Sequence, residues 1–272
     1  IPKKIAGVDS IEVLVIDDGC TDDTVAIAKK LGVKHFVHHP YKQGLARSFH
    51  DGVHKALELG ADVIVNTDGD NQYPGKYIGD LVTPIITGKA DIVIADRQTK
   101  KIEHFSPLKK LLQKFGTKVL NVAAGTKVPD APSGFRAYSR ESIYRLNVVT
   151  RFSYAMETLI QAGNKGMHIA SVPITTNAKT RESRLFKSNW EHVTKSGSAI
   201  IRAFIMYRPY VFFLTIGFVL LFIGLIPFAR FWYLIAVSHD YGARHIQSLI
   251  VGSVILMASF MMFVLGVIAD LI

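Results

Sequence analysis

Two long stretches without a charged side chain lie at the C-terminal end of this 272-residue chain and limit what it can become. Pro209 to Ala229 contains no Asp, Glu, Lys or Arg, and neither does His245 to Ala269. As a helix rising ~1.5 Å per residue, each run can cross a hydrocarbon core ~30 Å thick. A buried helix of a soluble domain is the ordinary alternative for one such run. Two in tandem, joined by the short link His239 to Arg244, favour a membrane hairpin of about 209–232 and 246–269 that brings the C-terminus back to its starting side. Neither run is N-terminal, so neither reads as a signal peptide.

Charge fixes the expected orientation. Lys and Arg number 32 against 22 Asp and Glu, and 49% of the residues are hydrophobic. After position 209 only Arg230, Asp240, Arg244 and Asp270 are charged, two of each sign, so the whole excess of +10 lies ahead of the spans. The tendency of basic segments to stay inside predicts a cytoplasmic N-terminal part on a multi-pass membrane protein. A single Cys20 excludes an internal disulfide and fits a reducing compartment. A basic chain also raises a nucleic-acid partner, but no recognition motif is visible and the spans explain the basicity better.

The N-terminal part alternates strand-like and helix-like segments. Ser10 to Ile16 is an apolar run ending in Asp17-Asp18-Gly19-Cys20. A helix follows, with Thr21 as the expected N-cap, Asp22 and Asp23 in its first turn and Gly32 as its stop. Val33 to Val37 reads as a strand, and Tyr41-Lys42-Gln43-Gly44-Leu45-Ala46-Arg47 opens a helix reaching about Leu59. Ala61 to Asn66 is a further strand, ending in Thr67-Asp68-Gly69-Asp70-Asn71-Gln72. Pro74 starts a helix, and Asp91 to Ala95 forms a strand ending in Asp96-Arg97. The alternation predicts an α/β domain with a mostly parallel, Rossmann-like sheet. Parallel strands place their carboxyl ends on one side, so Asp17, Asp18, Asp68, Asp70, Asp96 and Arg97 should share an edge.

Carboxylates flanking a glycine at a strand end suit a hard cation. Mg²⁺ or Mn²⁺ bound by one or two carboxylates takes its other ligands from water and phosphate oxygens, which points to a pyrophosphate-bearing substrate. The pattern is weak alone, because turns favour Asp, Asn and Gly for backbone reasons.

The middle of the chain changes character. Lys100 to Lys118 holds six lysines and one glutamate, with Leu108, Leu111, Leu112, Phe115 and Val119 at helical spacing. This basic amphipathic helix reads equally as a bilayer-surface element or as an ordinary helix with its apolar face on the core. Pro129 to Arg136 reads as a turn entering a strand, Tyr154 to Gly163 as a helix carrying Glu157, and Met167 to Ile174 as a strand. Glu157 reads as a structural partner or a catalytic group. From Lys179 to Arg208 seven basic residues face two glutamates. They read as topology signals, with Arg181 to Arg184 also able to grip a phosphate. The expected organisation is a catalytic domain over 1–176, a basic juxtamembrane segment over 177–208, and the two spans within 209–272.

The ordered set Asp17-Asp18-Gly19, Gly44-Leu45-Ala46-Arg47, Asp68-Gly69-Asp70-Asn71-Gln72 and Ser133-Gly134-Phe135-Arg136 resembles family 2 of the glycosyltransferases, with their glycosyltransferase A-type fold. With the C-terminal spans, it most resembles the polyprenyl-phosphate sugar synthases, the group of dolichyl-phosphate mannose synthase and the bacterial undecaprenyl-phosphate glycosyltransferases. The resemblance implies an inverting transfer of sugar from a UDP- or GDP-linked donor to a polyprenyl phosphate, with Mg²⁺ or Mn²⁺. It places Asp17, Asp18, Gly44, Arg47 and Asp68 on the donor, and Asp68, Asp70 and Gln72 at the metal. Arg97, Ser133 and Arg136 would face the acceptor phosphate with Arg181 and Arg184, and Asp130 would orient the acceptor, or act as base if the acceptor is a hydroxyl. Asp70, Asp130 and Arg136 are thus the expected catalytic residues. A hydroxyl acceptor on a glycolipid or polysaccharide, and a non-catalytic protein that binds a nucleotide sugar, are the alternatives. Homo-oligomerisation stays open. Cys20 departs from the family's usual small polar residue, and the family's first strand is missing ahead of Ile1, which reads as a truncated N-terminus.

Overall fold

A computed structural model describes residues 1–99, 107–148, 154–177, 208–238 and 246–271, with residue 198 and the pairs 201–202 and 205–206. The chain divides into two compact units, Ile1–Ala203 and Phe204–Ile272. Positions 100–106, Arg181, Arg184, most of the 177–208 segment and the link 239–245 lie outside the described residues.

In the first unit, β1 (Leu14–Asp17) is followed by α1 (Thr24–Lys30) and β2 (His35–His38). β1 and β2 pair in parallel, Leu14 opposite His35 and Asp17 opposite His38. α1 begins two residues later than expected: its cap position is Asp23, and the Asp22 carboxylate, not Thr21, accepts from the Thr24 amide at 3.2 Å. α2 (Leu45–Glu58) then leads to β3 (Val63–Asn66). A 3₁₀ turn, Gly75–Tyr77, runs into α3 (Ile78–Ile86), and β4 (Ile92–Asp96) and α4 (Pro107–Ala124) follow. β5 (Arg136–Ser139), α5 (Arg140–Arg145), α6 (Tyr154–Asn164) and β6 (Ile169–Pro173) complete the unit.

The α/β class is as expected, but the sheet is mixed. β3, β5, β4 and β6 form one four-stranded sheet in that order. β4 and β6 are parallel, whereas β5 runs antiparallel to both of its neighbours. This reversal has a direct consequence. The first residue of β5, Arg136, lies opposite Asn66 at the carboxyl end of β3 and opposite Ile94, two residues before the end of β4. The turn that enters β5 therefore joins the acidic turns that leave β3 and β4.

The core explains why these short strands hold. Leu81, Val93, Ala95, Phe135 and Ala137 are fully buried, and Ile78, Val82, Tyr73 and Ile174 pack with them, so α3 covers one face of the sheet. Phe49 of α2 stacks on Tyr154 of α6 at 4.1 Å between ring centroids and meets Tyr138 of β5 at 5.7 Å. That aromatic cluster ties α2 to the second sheet, and Gly52 of the same helix packs against the Ile16 side chain of β1.

The second unit is a helical hairpin of α7 (Pro209–Ser238) and α8 (Ile246–Leu271), both long and apolar enough to cross a membrane. Both run past the expected ends at 232 and 269. Their seam is built of small residues. Gly252, Ser259 and Gly266 recur every seventh position on α8 and are its buried residues, facing Phe228, the Gly217 carbonyl and Phe213 of α7. Small residues let two helices approach closely when no water is squeezed out between them. Ser259 donates to the Gly217 carbonyl at 2.8 Å across the seam. Phe222, Ile226, Met257 and Phe260 point outward and are exposed. Outward apolar side chains on both helices suit hydrocarbon as solvent.

Candidate active site

The site gathers where β3, β4 and β5 meet. Beyond Asn66 the chain leaves the sheet as Thr67 to Gln72, and Asn71 turns it with φ 58°, a left-handed value that asparagine tolerates better than most residues. The Asp70 carboxylate accepts from the Gln72 amide at 3.0 Å. Asn177, just past β6, donates from its side chain to the Asn71 carbonyl at 2.8 Å and from its backbone to the Gln72 carbonyl at 3.0 Å. The acidic turn is thus fixed at its Asn71–Gln72 end.

The turn entering β5 packs directly against it. Asn66 donates to the Gly134 carbonyl at 3.0 Å and to the Tyr154 hydroxyl at 2.7 Å. A Cβ on Gly134 would stand 3.0 Å from that hydroxyl and 3.5 Å from Asp68 Oδ2, so glycine is what lets the two turns touch. Burial raises the Asp68 pKa, the neighbouring Asp70 charge raises it further, and Arg97 offsets part of this. Two carboxylates held together in this way fit a divalent cation by charge and by donor type.

Arg97 leaves β4 beside them, and Gln98 follows with φ 48° while its amide donates to Asp96 Oδ1 at 2.9 Å. The Arg97 guanidinium grips Asp130 in a two-pronged ion pair, Nε to Oδ2 at 2.7 Å and Nη2 to Oδ1 at 2.8 Å, and its backbone amide adds a third bond at 3.1 Å. Burial opposes the charge on Arg97, but the Asp130 pairing outweighs it and lifts the pKa above its ordinary value.

Three expected acceptor residues are placed differently from a surface site. Asp130 is 3% exposed with both oxygens on Arg97, so in this structure it clamps that arginine. Arg136 is 0% exposed: Nε donates to the Ser133 carbonyl at 2.8 Å, Nη2 to the Ala131 carbonyl at 2.6 Å and Nη1 to the Thr158 hydroxyl at 3.1 Å. It braces the turn from within, because β5 sits inside the sheet and turns this side chain to the core. Ser133 is equally buried, and its hydroxyl has no partner among the described residues. Glu157 is buried in α6 near Gln161, as a structural group would be.

The acids after β1 are organised around a second loop. Asp17 accepts from the Cys20 amide at 2.8 Å and contacts His38 Nδ1 at 3.1 Å; these two partners lower its pKa, the amide more. Asp18 reaches across to the start of α2, accepting from the amides of Gln43 at 2.7 Å and Gly44 at 2.9 Å. Burial alone would raise its pKa, but the bonds from His39 and those two amides win and lower it. Arg47 pairs with Asp51 one turn on, at 2.7 Å.

The family model for "Glycosyl transferase family 2" matches residues 6–146, which spans the acidic turns and the whole turn into β5. The chain belongs to glycosyl transferase family 2. Among its relatives is a dolichyl-phosphate hexose transferase of Haloferax volcanii, 30% identical over 68% of this chain and 80% of that protein. A polyprenol monophosphomannose synthase of Mycolicibacterium smegmatis is 26% identical over 66% and 72%. Of solved structures, glucosyl-3-phosphoglycerate synthase of Mycobacterium tuberculosis, crystallised with Mn²⁺, UDP-glucose and phosphoglyceric acid, superposes with a TM-score of 0.54 at 20% identity, covering 73% of this chain and 69% of that one. That likeness establishes the glycosyltransferase A-type fold for this family 2 chain.

Several residues that hold the acidic turns in place carry no signal in the linear sequence. Asn66 could have been suspected as the polar last residue of a buried strand. Asn177, Tyr154 and His39 are brought in from elements 12 to 106 positions away from their partners, which spacing does not reveal.

Proposed function

We propose that this protein transfers a sugar from a nucleoside diphosphate sugar to a polyprenyl phosphate at a membrane, with inversion at the anomeric carbon. The observation that carries it is the contact of the Asp68–Asp70 turn with the Ser133–Gly134 turn, beside the buried Arg97–Asp130 pair. The names of the relatives, transferases of dolichyl and polyprenyl phosphates, supply the acceptor class.

Asp68, Asp70 and Gln72 would hold Mg²⁺ or Mn²⁺, which neutralises charge growing on the departing diphosphate. Asp17, Asp18, Gly44 and Arg47 form the donor nucleotide end. Two guanidinium nitrogens of Arg97 are bound to Asp130, and we assign the third to the acceptor phosphate together with Arg181 and Arg184. Arg136 and Ser133 act through the turn they brace. A phosphate monoester is already an anion near neutral pH and needs no base, which agrees with an Asp130 committed to Arg97. The protein's work is then to hold the two substrates in line, one phosphate oxygen forming a bond to the anomeric carbon as the diphosphate leaves with the old bond's electrons. The net positive charge ahead of the spans supports a cytoplasmic catalytic unit on a multi-pass hairpin.

The test uses the full chain in nanodiscs with polyprenyl phosphate, a panel of UDP- and GDP-sugars, and Mn²⁺ or Mg²⁺. A β-linked lipid-phosphate sugar from an α-linked donor, lost on chelation, is the expected product. Transfer only to a hydroxyl acceptor, or nucleotide binding without turnover, would overturn the proposal.

A further inference from the structure

His39 is the most deeply placed charged-type group near the β1 turn, with its side chain 5% exposed, and none of the family motifs includes it. Its ring lies between two carboxylates from different elements. Nδ1 is 2.9 Å from Asp18 Oδ1, at the end of β1, and Nε2 is 3.1 Å from Asp51 Oδ2, in the middle of α2. Each ring nitrogen is within hydrogen-bond distance of one carboxylate oxygen, so the ring bridges the two acids. Asp51 is braced in turn by Arg47 Nε at 2.7 Å and His50 Nδ1 at 2.9 Å. Beyond Asp18 lie the amides of Gln43 and Gly44, where Gly44 has φ 94° immediately before α2. The line runs from the solvent-facing Arg47 through Asp51, His39 and Asp18 to two backbone N–H groups.

We propose that His39 is a positioning residue for the donor nucleotide: with Asp51 it fixes how Asp18 presents the Tyr41–Gly44 loop to the nucleoside diphosphate. It rests on the assignment of Asp18, Gly44 and Arg47 to the donor. A histidine there does what an ordinary core residue cannot. It ties the end of β1 to the side of α2 through one ring nitrogen on each acid, so the loop leading into α2 has one geometry.

The experiment has two arms on the full chain in nanodiscs. Hydrogen exchange at residues 41–44 tests the relay without any ligand, and titration with UDP and GDP tests its service to the donor. His39→Ala should speed exchange in that loop and weaken nucleotide binding by about ten-fold, the effect of losing one charge-assisted hydrogen bond. At saturating donor kcat should stay within about two-fold, since only uniform donor binding is lost. His39→Asn, which keeps a donor toward Asp18, should recover most of the affinity. If His39→Ala does not fold, Asp51→Asn serves in its place and should move both readouts the same way by less. Unchanged exchange and affinity would overturn the relay. Faster exchange in His39→Ala, together with a wild-type protein that binds neither UDP nor GDP, would overturn its donor role, and with it the donor assignment, while leaving the loop contact itself in place.

Discussion

The two acidic turns of this domain use the same residue type for opposite ends. After β1, Asp17 and Asp18 are surrounded by five backbone or imidazole groups within 3.1 Å, and both have lowered pKa values. After β3, Asp68 meets burial and the charge of Asp70, and its pKa is raised. A carboxylate whose charge the fold already satisfies is a building element. A carboxylate whose charge the fold leaves costly is a place where a ligand's positive charge lowers the free energy. This difference supports the proposed division, in which the first turn shapes the loop at the donor nucleotide and the second would hold a cation, although both look like Asp-rich strand ends.

The largest expected effect comes from removing the second kind. Asp70→Ala and Asp68→Asn should each lower turnover on the order of a thousand-fold, the scale of losing electrostatic stabilisation of a leaving group. Thermal stability should rise for Asp68→Asn, which relieves repulsion between two neighbouring carboxylates, and hold steady for Asp70→Ala, where the same relief is offset by loss of the bond from the Gln72 amide. Steady-state kinetics and a melting curve check both. A variant that keeps wild-type turnover in Mn²⁺ buffer would erase the contrast between the two turns.

Next in size is the Arg97–Asp130 pair, which belongs to neither pattern. Asp130→Ala leaves a buried guanidinium without its counter-charge and should cost roughly 3–5 kcal/mol of stability. Were Asp130 an accessible base, the variant would lose turnover and keep its stability. Denaturant unfolding separates the outcomes.

Gly134→Ala probes the contact that joins the turns. The added methyl meets the Tyr154 hydroxyl at 3.0 Å and Asp68 at 3.5 Å, so a shift of a few tenths of an ångström is forced. About 1–2 kcal/mol of stability should go, with a fall in turnover that exceeds the fall in nucleotide affinity. Equal losses in both would place the donor nucleotide, not the metal, against Gly134.

How far the sequence reveals this follows from distance along the chain. The alternation of strands and helices, the acids at strand ends and the two apolar runs are local patterns, and the corresponding elements are found close to the expected places. The antiparallel course of β5 is not local. Four residues, Arg136 to Ser139, read the same in either direction, and only packing against β3 and β4 decides. The burial of Arg136 follows from that direction, which is why a side chain expected at the phosphate is found bracing carbonyls. Asp130 and Arg97 are 33 positions apart, so each reads as an independent candidate until the fold pairs them.

The smallest effect tests the first turn by pH. Asp18 has a lowered pKa in the folded protein, so its stabilising contribution is present above the unfolded value of about 3.9 and disappears as pH falls through the folded value. Asp18→Asn keeps the shape but cannot change its charge. The difference in melting temperature between wild type and Asp18→Asn should therefore be full above about pH 4, shrink in more acidic solution and vanish once Asp18 is protonated in both states. If the Asp18 difference instead persists unchanged to the lowest pH at which the protein folds, the bonds from Gln43, Gly44 and His39 do not depend on its charge. The first turn would then be held by shape alone, and the contrast between satisfied and costly carboxylates would lose its first half.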